Sequence, residues 1–427
     1  MFQGSATGLQ QTTSYKVVLP FYFYASISFL VASLFLFVHS EVGQEHYFSP
    51  ITLSITHMMA LGWGTMIILG ASHQLLPVII EGKLYSTNLA LITFIFTAIG
   101  IPLLVHGFYE FQFGILTQIG AISINIGLLL FLINVLMSVF KNKKANIHAW
   151  FMSTATIWLL TTTIFGMLLI FNFKYPIFPS ESVKYLSLHA HLGIVGWFLM
   201  MVLGVGSRLI PMFLISKYQS KNTLKNIYLL INTSLVAFII IRFCGLFAIV
   251  YSIPVILALG GIGLFGNYCY QAYKVRIRKN VDLQMKTSLI SVIQMFIPLL
   301  VLSVLLILST SQDQAQLGLL YGFCIFFGWI TAIIIGMTFK TLPFIIWNRS
   351  YHKKAHAGKT PAPKELFSEG IYYTGLVTYL IGFLTYFVGI LSDNDMILKG
   401  GSAGLVLAAA LYVMNVMIIF LHKPTTK

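Results

Sequence analysis

Three histidines in this sequence stand at the start of long apolar stretches, and they are its best candidates for metal chemistry. His57 begins one such stretch, and His189 and His191 begin another. A neutral imidazole in apolar surroundings is a ligand for haem iron, copper or zinc. Burying such a polar ring is costly, so its position favours a functional role. The alternative is a histidine that only hydrogen-bonds a neighbouring helix.

The apolar stretches share one motif, which occurs three times. In each copy a Gly-Trp pair is followed seven residues after the Trp by Gly and fourteen residues after it by Pro. The position six residues before the Trp is histidine in two copies and phenylalanine in the third. The copies run from His57 to Pro77, from His191 to Pro211 and from Phe323 to Pro343. Fixed offsets in three places predict one supersecondary unit used three times.

The composition excludes a soluble protein and predicts the fold class. Of 427 residues, 58% are hydrophobic and 9% are charged, with a mean hydropathy of +0.87, whereas soluble domains are about a quarter charged. A transmembrane helix needs about 20 apolar residues. Twelve stretches qualify, near 17–38, 52–79, 87–108, 114–139, 147–172, 186–214, 226–251, 253–272, 284–309, 316–347, 371–391 and 399–421. We predict an all-α polytopic membrane protein with twelve transmembrane helices in three pseudo-repeated four-helix units, since the motif falls on every fourth helix.

The loops are too short to fold as separate soluble domains, so we expect residues 1–427 to form a single integral membrane domain. Its repeat units cover about 17–140, 147–272 and 284–421. The first apolar stretch is interpreted as a retained span, because the polar segment before it does not fit a signal peptide. The longest loop, roughly 348–370, is expected to be a polar connector, with His352 and His356 at the membrane interface.

The net charge of +15 is interpreted as the positive-inside bias of a membrane protein, so no nucleic-acid partner is expected. Basic loops alternate along the chain with loops that are poor in cations. This alternation places the basic loops and both termini in the cytoplasm, in what we expect to be a bacterial inner membrane. In that orientation His57, His189 and His191 lie in the outer leaflet.

Helix geometry indicates which histidines can act together. Each residue turns a helix by about 100°, so His189 and His191 point about 200° apart and address different neighbours. His57 and His191 occupy equivalent repeat positions, so they lie at one depth and can hold one haem between them. Three glycines are expected to give the haem edges room by lacking side chains, namely Gly62, Gly193 and Gly196.

Arg242 is the charged residue of the seventh span that lies nearest to this depth. It follows the predicted start of that span by sixteen residues, which corresponds to roughly 24 Å along a helix. A guanidinium in an apolar setting suits the propionates of a haem. The alternative is an arginine bonded to backbone carbonyls at the interface.

The run His189-Ala190-His191, followed by Gly196-Trp197 and Pro211, resembles the helix that carries the His-x-His pair in the catalytic subunit of the haem–copper oxidase and nitric oxide reductase superfamily. That family has twelve helices in three arcs of four, with both termini inside. The resemblance covers the whole topology, while its residue motif covers the second and sixth helices. It implies that His57 and His191 are the axial ligands of a low-spin haem and that His189 binds a second haem or metal.

The sequence departs from the family pattern in its copper ligands. The family carries its His-x-His pair on the tenth helix, whereas here it is on the sixth, and the seventh span, 226–251, contains no histidine. If the units are shifted by one, His57 becomes a copper ligand and His106 a second one. We prefer the haem, because two histidines make an incomplete copper site. The haem is expected to be b-type and non-covalent, because the sequence has no Cys-x-x-Cys-His motif.

These features together predict a membrane haem protein that serves electron transfer or oxygen or nitric oxide chemistry. An oxidoreductase and a haem or gas binder without turnover are both consistent with this reading. The expected partners are the lipid bilayer, a periplasmic or quinol electron donor, and partner subunits. A proton pump is not expected, since acids and lysines are nearly absent from the spans, with Lys340 and Arg208 near the inner ends. The alternatives are a membrane transporter and a cofactor-free partner subunit.

Overall fold

The protein is built almost entirely from long helices. The computed structural model describes residues 13–142, 146–307, 311–351 and 360–424, and it describes the side chains of these residues except Ala248 and 311–314. These described residues are 85% helical, and no strand occurs among them. An isolated antiparallel bridge joins Ser216 to Arg276.

Twelve helices are long and apolar enough to cross a bilayer within the described ranges. They are α1 (Tyr15–Val38), α2 (Pro50–Ile79), α3 (Thr87–Tyr109), α4 (Ile115–Lys141), α5 (Ile147–Asn172), α6 (Ser182–Leu214), α7 (Lys221–Cys244), α8 (Ile249–Lys274), α9 (Leu283–Ile307), α10 (Ala315–Tyr351), α11 (Glu369–Ser392) and α12 (Asp395–Phe420). The predicted fold class is confirmed, and the protein is an integral membrane protein. The side of the membrane on which the termini lie stays a prediction.

Polar side chains cap the N-termini of several of these helices. Ser49 accepts a hydrogen bond from the Thr52 backbone N–H at 3.2 Å at the start of α2. Asn146 accepts one from Ala149 at 2.9 Å at the start of α5. Such caps satisfy backbone donors that have no partner within the helix, which is especially important next to a bilayer, where unpaired backbone groups are costly.

The ends of two helices differ from the prediction for identifiable reasons. The seventh span was expected to reach residue 251, but α7 ends at Cys244 because Gly245 adopts a left-handed conformation with φ of 62°. The residues that follow are apolar, so hydropathy does not mark this end. In α10 the helix continues past Pro343 to Tyr351, whereas the predicted tenth span ended at residue 347.

The three motif copies share an unusual backbone as well as a sequence. A π-helical segment occurs in each, at Met58–Thr65, Leu192–Leu199 and Cys324–Ile330. Each segment starts at the residue after His57, His191 or Phe323, and each contains the Gly-Trp pair. A π-helical segment is rare and is frequent at functional sites. The repeat therefore extends from the sequence to the hydrogen-bonding pattern of the backbone.

The chain divides into two compact units. The first contains Met1–Val17, Ser72–Asn280 and Met295–Thr310, and the second contains Val18–Ala71, Val281–Gln294 and Ser311–Lys427. The first unit thus holds α3 to α8 with His189 and His191, and the second holds α10 to α12 with His57 on the first part of α2. The boundary in α9 falls at a break in the helix at Met295, three residues before Pro298, which has no N–H to continue the helical ladder.

Candidate histidine sites

His57 ends the first, α-helical part of α2, directly before the π-helical segment. Its ring nitrogen Nδ1 lies 2.7 Å from the carbonyl oxygen of Leu53, one turn earlier. A carbonyl oxygen can only accept a hydrogen bond, so Nδ1 carries the proton. In that tautomer Nε2 holds the lone pair that can bind a metal.

His191 occupies the same position on α6 and makes the same contact. Its Nδ1 lies 2.7 Å from the carbonyl oxygen of Ser187, and the π-helical segment again begins at the next residue. The ring is half-buried and packs against the ring of Phe238 on α7, with centroids 4.6 Å apart. Histidines that bind metals usually donate their other ring N–H in this way, which fixes the tautomer and orients the ring.

His189 faces a different helix from His191, as the two-residue spacing predicts. A Cβ placed on Gly166 of α5 would lie 2.6 Å from His189 Cε1 and 3.2 Å from its Nδ1. The imidazole therefore rests directly on the backbone of α5, while His191 rests on α7. Gly166 is a residue that sequence reasoning did not find, because nothing in the local pattern of α5 indicates that a histidine from the next helix packs on it.

The glycines of the motif pack against α5 where the sequence suggested room for a haem. A Cβ on Gly196 would lie 2.7 Å from the Cβ of Trp158, and one on Gly193 would lie 3.2 Å from Thr162 Cγ2. At these two positions the missing side chains let α5 and α6 approach closely. This packing replaces the contact with haem edges that the sequence predicted. Gly62 is buried.

The tryptophans of the motif are packing anchors. Trp63 is fully buried and stacks on Phe29 with ring centroids 4.6 Å apart. Its Nε1 donates a hydrogen bond to Thr331 at 3.1 Å. Trp197 is equally buried and meets the ring of Phe131 edge-on at 6.4 Å. The indole N–H of Trp63 thus has a partner, as a buried tryptophan requires.

Arg242 lies in the last turn of α7, at the end where α6 begins. Its Nη2 donates a hydrogen bond of 2.5 Å to the carbonyl oxygen of Lys184. Lys184 belongs to the short turn Ser182–Tyr185 that leads into the histidine helix. The guanidinium therefore fastens α7 to the start of α6, which is the backbone-bonded alternative that the sequence left open. It has five N–H donors, so one such bond is compatible with a propionate contact.

The remaining histidines lie apart from this pattern. His106 is exposed in the last turn of α3. His73 is buried, its ring meets Phe131 edge-on at 5.2 Å, and its carbonyl accepts a hydrogen bond from Thr13. His352 and His356 lie outside the described residues. Within the described part of the chain no group of three or more His, Cys, Asp or Glu residues is arranged to hold a metal ion.

The third copy of the motif shows what fills the histidine position when histidine is absent. Phe323 stacks on Phe383 with centroids 5.2 Å apart and planes 7° apart, and it also contacts Phe327 and Tyr386. The hydroxyl of Tyr379 lies 2.8 Å from the carbonyl oxygens of Phe327 and Gly328. Phe323, which stands where the other copies have histidine, therefore lies in a core of packed aromatic rings.

No protein-family model matches the chain, and no curated protein matches it. The resemblance to the catalytic subunit of haem–copper oxidases stays with the residues that carry it, His189, His191, Gly196, Trp197 and Pro211.

Proposed function

We propose that this protein is a membrane haem protein, distantly similar to the haem–copper oxidase and nitric oxide reductase catalytic subunit, and that His57 and His191 are ligands of haem iron. His189 is the candidate ligand of a second haem or metal. Arg242 is the candidate partner of a propionate. A b-type haem, when bound, supplies the one-electron redox chemistry of its iron and, at an open coordination position, binds oxygen or nitric oxide.

The observation that carries this proposal is the comparison of the three repeat helices. All three form a π-helical segment at the same place, although the third has Phe323 where the others have histidine. A histidine is thus not needed to build this helix. Placing the imidazoles of His57 and His191 within a membrane costs free energy. Their presence at equivalent positions therefore favours a role in binding a metal.

The orientation of these imidazoles supports iron as the bound metal. Each Nδ1 donates to a carbonyl oxygen of its own helix at 2.7 Å, so each ring presents Nε2 as the ligand atom. Two neutral imidazoles would suit a b-type haem, since histidine nitrogen is a common ligand of haem iron. The residues present therefore fit the group.

The number of histidines on one iron separates the possible activities. If His57 and His191 both held one haem iron, the chemistry supplied would be electron transfer. If one histidine held the iron alone, the chemistry supplied would be that of oxygen or nitric oxide, and His189 is the candidate residue for such a centre. A copper site with His57 and His106 as ligands is the weaker alternative, because His106 is exposed and two ligands are too few for the usual copper geometries.

The test is the visible spectrum of the purified protein, oxidised and then reduced with dithionite. His57→Phe and His191→Phe are the informative variants, since phenylalanine occupies this position in the third copy. His46→Ala is the matched control, because His46 is an exposed histidine between α1 and α2. A reduced α-band that both variants abolish and the control retains supports two histidines on one iron.

Other outcomes are equally informative. If each variant removes only part of the band, the two histidines bind separate haems. Carbon monoxide that shifts the reduced spectrum in wild type and not in His189→Ala assigns an open iron position to His189. A colourless protein from cells supplied with haem would overturn the proposal and leave a transporter or a cofactor-free partner subunit.

A further inference from the structure

The first compact unit carries a concentration of positive charge at one end of its helices. Two connections meet there, the one between α6 and α7 and the one that follows α8. Ser216 and Arg276 form an antiparallel bridge, and the Ile277 N–H donates to the carbonyl oxygen of Ile215 at 3.2 Å. Cations separated by about sixty residues in the chain are thereby brought to one place. We call them the basic two-loop surface, which consists of Lys217, Lys221, Lys274, Arg276, Arg278 and Lys279.

The arginines of this surface are held in place. The guanidinium carbon of Arg276 lies 3.8 Å above the ring of Tyr273, and its Nη1 donates to the Tyr273 carbonyl at 2.8 Å. Nη1 of Arg278 lies 3.5 Å from the carbonyl oxygen of Phe213. A fixed guanidinium loses less conformational freedom when it binds an oxyanion, so these two side chains are prepared for a phosphate.

Cations far outnumber carboxylates in this part of the chain. The sequence contains no Asp or Glu between Glu181 and Asp282. The four lysines of the basic two-loop surface are solvent-exposed. The charge is therefore presented outward at the ends of three spanning helices, which is the level of lipid headgroups.

Apolar side chains alternate with the cations in one of the two loops. In the run from Lys274 to Lys279, Val275 is 50% exposed and Ile277 is 60% exposed. Exposed valine and isoleucine between basic residues are unfavourable in water, but they match the boundary between headgroups and acyl chains. This alternation favours a lipid over a soluble anion or an acidic protein.

We propose that the basic two-loop surface binds the phosphate headgroups of anionic phospholipids in the adjoining leaflet. Basic pockets at helix ends recognise such headgroups by electrostatic attraction and hydrogen bonds. The proposal does not depend on haem, and it adds a lipid preference to the protein. Its consequence is that phosphatidylglycerol is retained next to the protein more strongly than phosphatidylcholine.

The test uses the full chain in micelles that contain spin-labelled phosphatidylglycerol or spin-labelled phosphatidylcholine, with electron paramagnetic resonance to measure the immobilised fraction. The first variant is Lys217→Gln combined with Lys279→Gln, which removes one exposed charge from each loop. The matched control is Lys174→Gln combined with Lys184→Gln, two exposed lysines that lie in the α5–α6 connection and in the first turn of α6. A second variant, Arg276→Gln, tests the held guanidinium.

The expected result is a preference for phosphatidylglycerol in wild type that falls about fivefold per removed charge at low salt. The control keeps the preference, and added salt lowers it in wild type. The proposal is overturned if wild type shows no preference, if salt has no effect on it, or if the control pair lowers it as much as the test pair. Displacement of the labelled lipid by inorganic phosphate at matched ionic strength would also overturn it, because the surface would then be a site for a free anion.

Discussion

Substitution of Gly166 by alanine should act on the protein through the ring of His189. The added Cβ would lie 2.6 Å from His189 Cε1, 3.2 Å from Nδ1 and 3.4 Å from Nε2. An ordinary carbon–carbon contact is about 3.5 Å or longer, so the ring or α5 must withdraw by roughly 0.9 Å. Overpacking of this kind costs about 1–3 kcal/mol.

A second effect of the same substitution has the opposite sign. Alanine is favoured over glycine within a helix by about 1 kcal/mol, and Gly166 lies well inside α5. In a His189→Ala background the ring is absent, so the clash disappears and the helix-forming advantage remains. Gly166→Ala should therefore destabilise wild type by up to about 2 kcal/mol and stabilise the His189→Ala variant by up to about 1 kcal/mol.

The measurement is a double-mutant cycle on the free energy of unfolding in mixed micelles. The coupling between Gly166→Ala and His189→Ala should be about 1–3 kcal/mol. Gly260→Ala is the matched control, since a Cβ there would make an ordinary contact of 3.8 Å with Leu230. A coupling below about 0.5 kcal/mol, the usual scatter of independent sites, would refute the packing of His189 on α5. In a haem-loaded protein, Gly166→Ala should also change the spectrum of any centre held by His189.

Further changes test the aromatic core and the polar contacts of the second unit. Phe323→Ala should lower the free energy of unfolding by about 3–5 kcal/mol, whereas the His57→Phe protein should stay folded, and thermal unfolding in detergent compares the two. Tyr379→Phe should cost about 1–3 kcal/mol, because two buried carbonyls lose their shared donor, and the same assay would contradict this if the midpoint did not move. Asp282 and Lys340 form a partly buried ion pair. Removing the charge of Asp282 alone leaves the charge of Lys340 uncompensated. Asp282→Asn should therefore be more destabilising than Asp282→Asn combined with Lys340→Met. Equal losses in the single and double variants would contradict this expectation, because the unpaired Lys340 would then carry no penalty.

Much of the fold could be predicted from the sequence. The twelve spans follow from hydropathy, and the repeat follows from the fixed spacing of Gly, Trp and Pro. Both are local properties of the chain, because a membrane imposes the same length and apolarity on each helix. The end of α7 was missed, since Gly245 ends the helix within a run that stays apolar.

The positions of the histidines could also be predicted from the sequence, but the residues that surround them could not. The spacing of His189 and His191 predicts that they address different helices, and the packing of His189 on Gly166 and of His191 on Phe238 agrees. The hydrogen bonds from Nδ1 to the carbonyl one turn earlier depend on side-chain rotamers next to the π-helical segments. No hydropathy pattern reports a rotamer or a π-helical turn.

The sequence by itself determined the class of the protein, the twelve spans, the threefold motif and the candidate metal-binding residues. Only the tertiary structure decided which neighbours those residues meet. It placed α5 against Gly196, where a haem edge was expected, tied Arg242 to the carbonyl of Lys184, and joined two basic loops through Ser216 and Arg276. The physical reason is that apolarity and periodicity are properties of one helix, whereas close packing depends on side chains from helices that lie far apart in the chain.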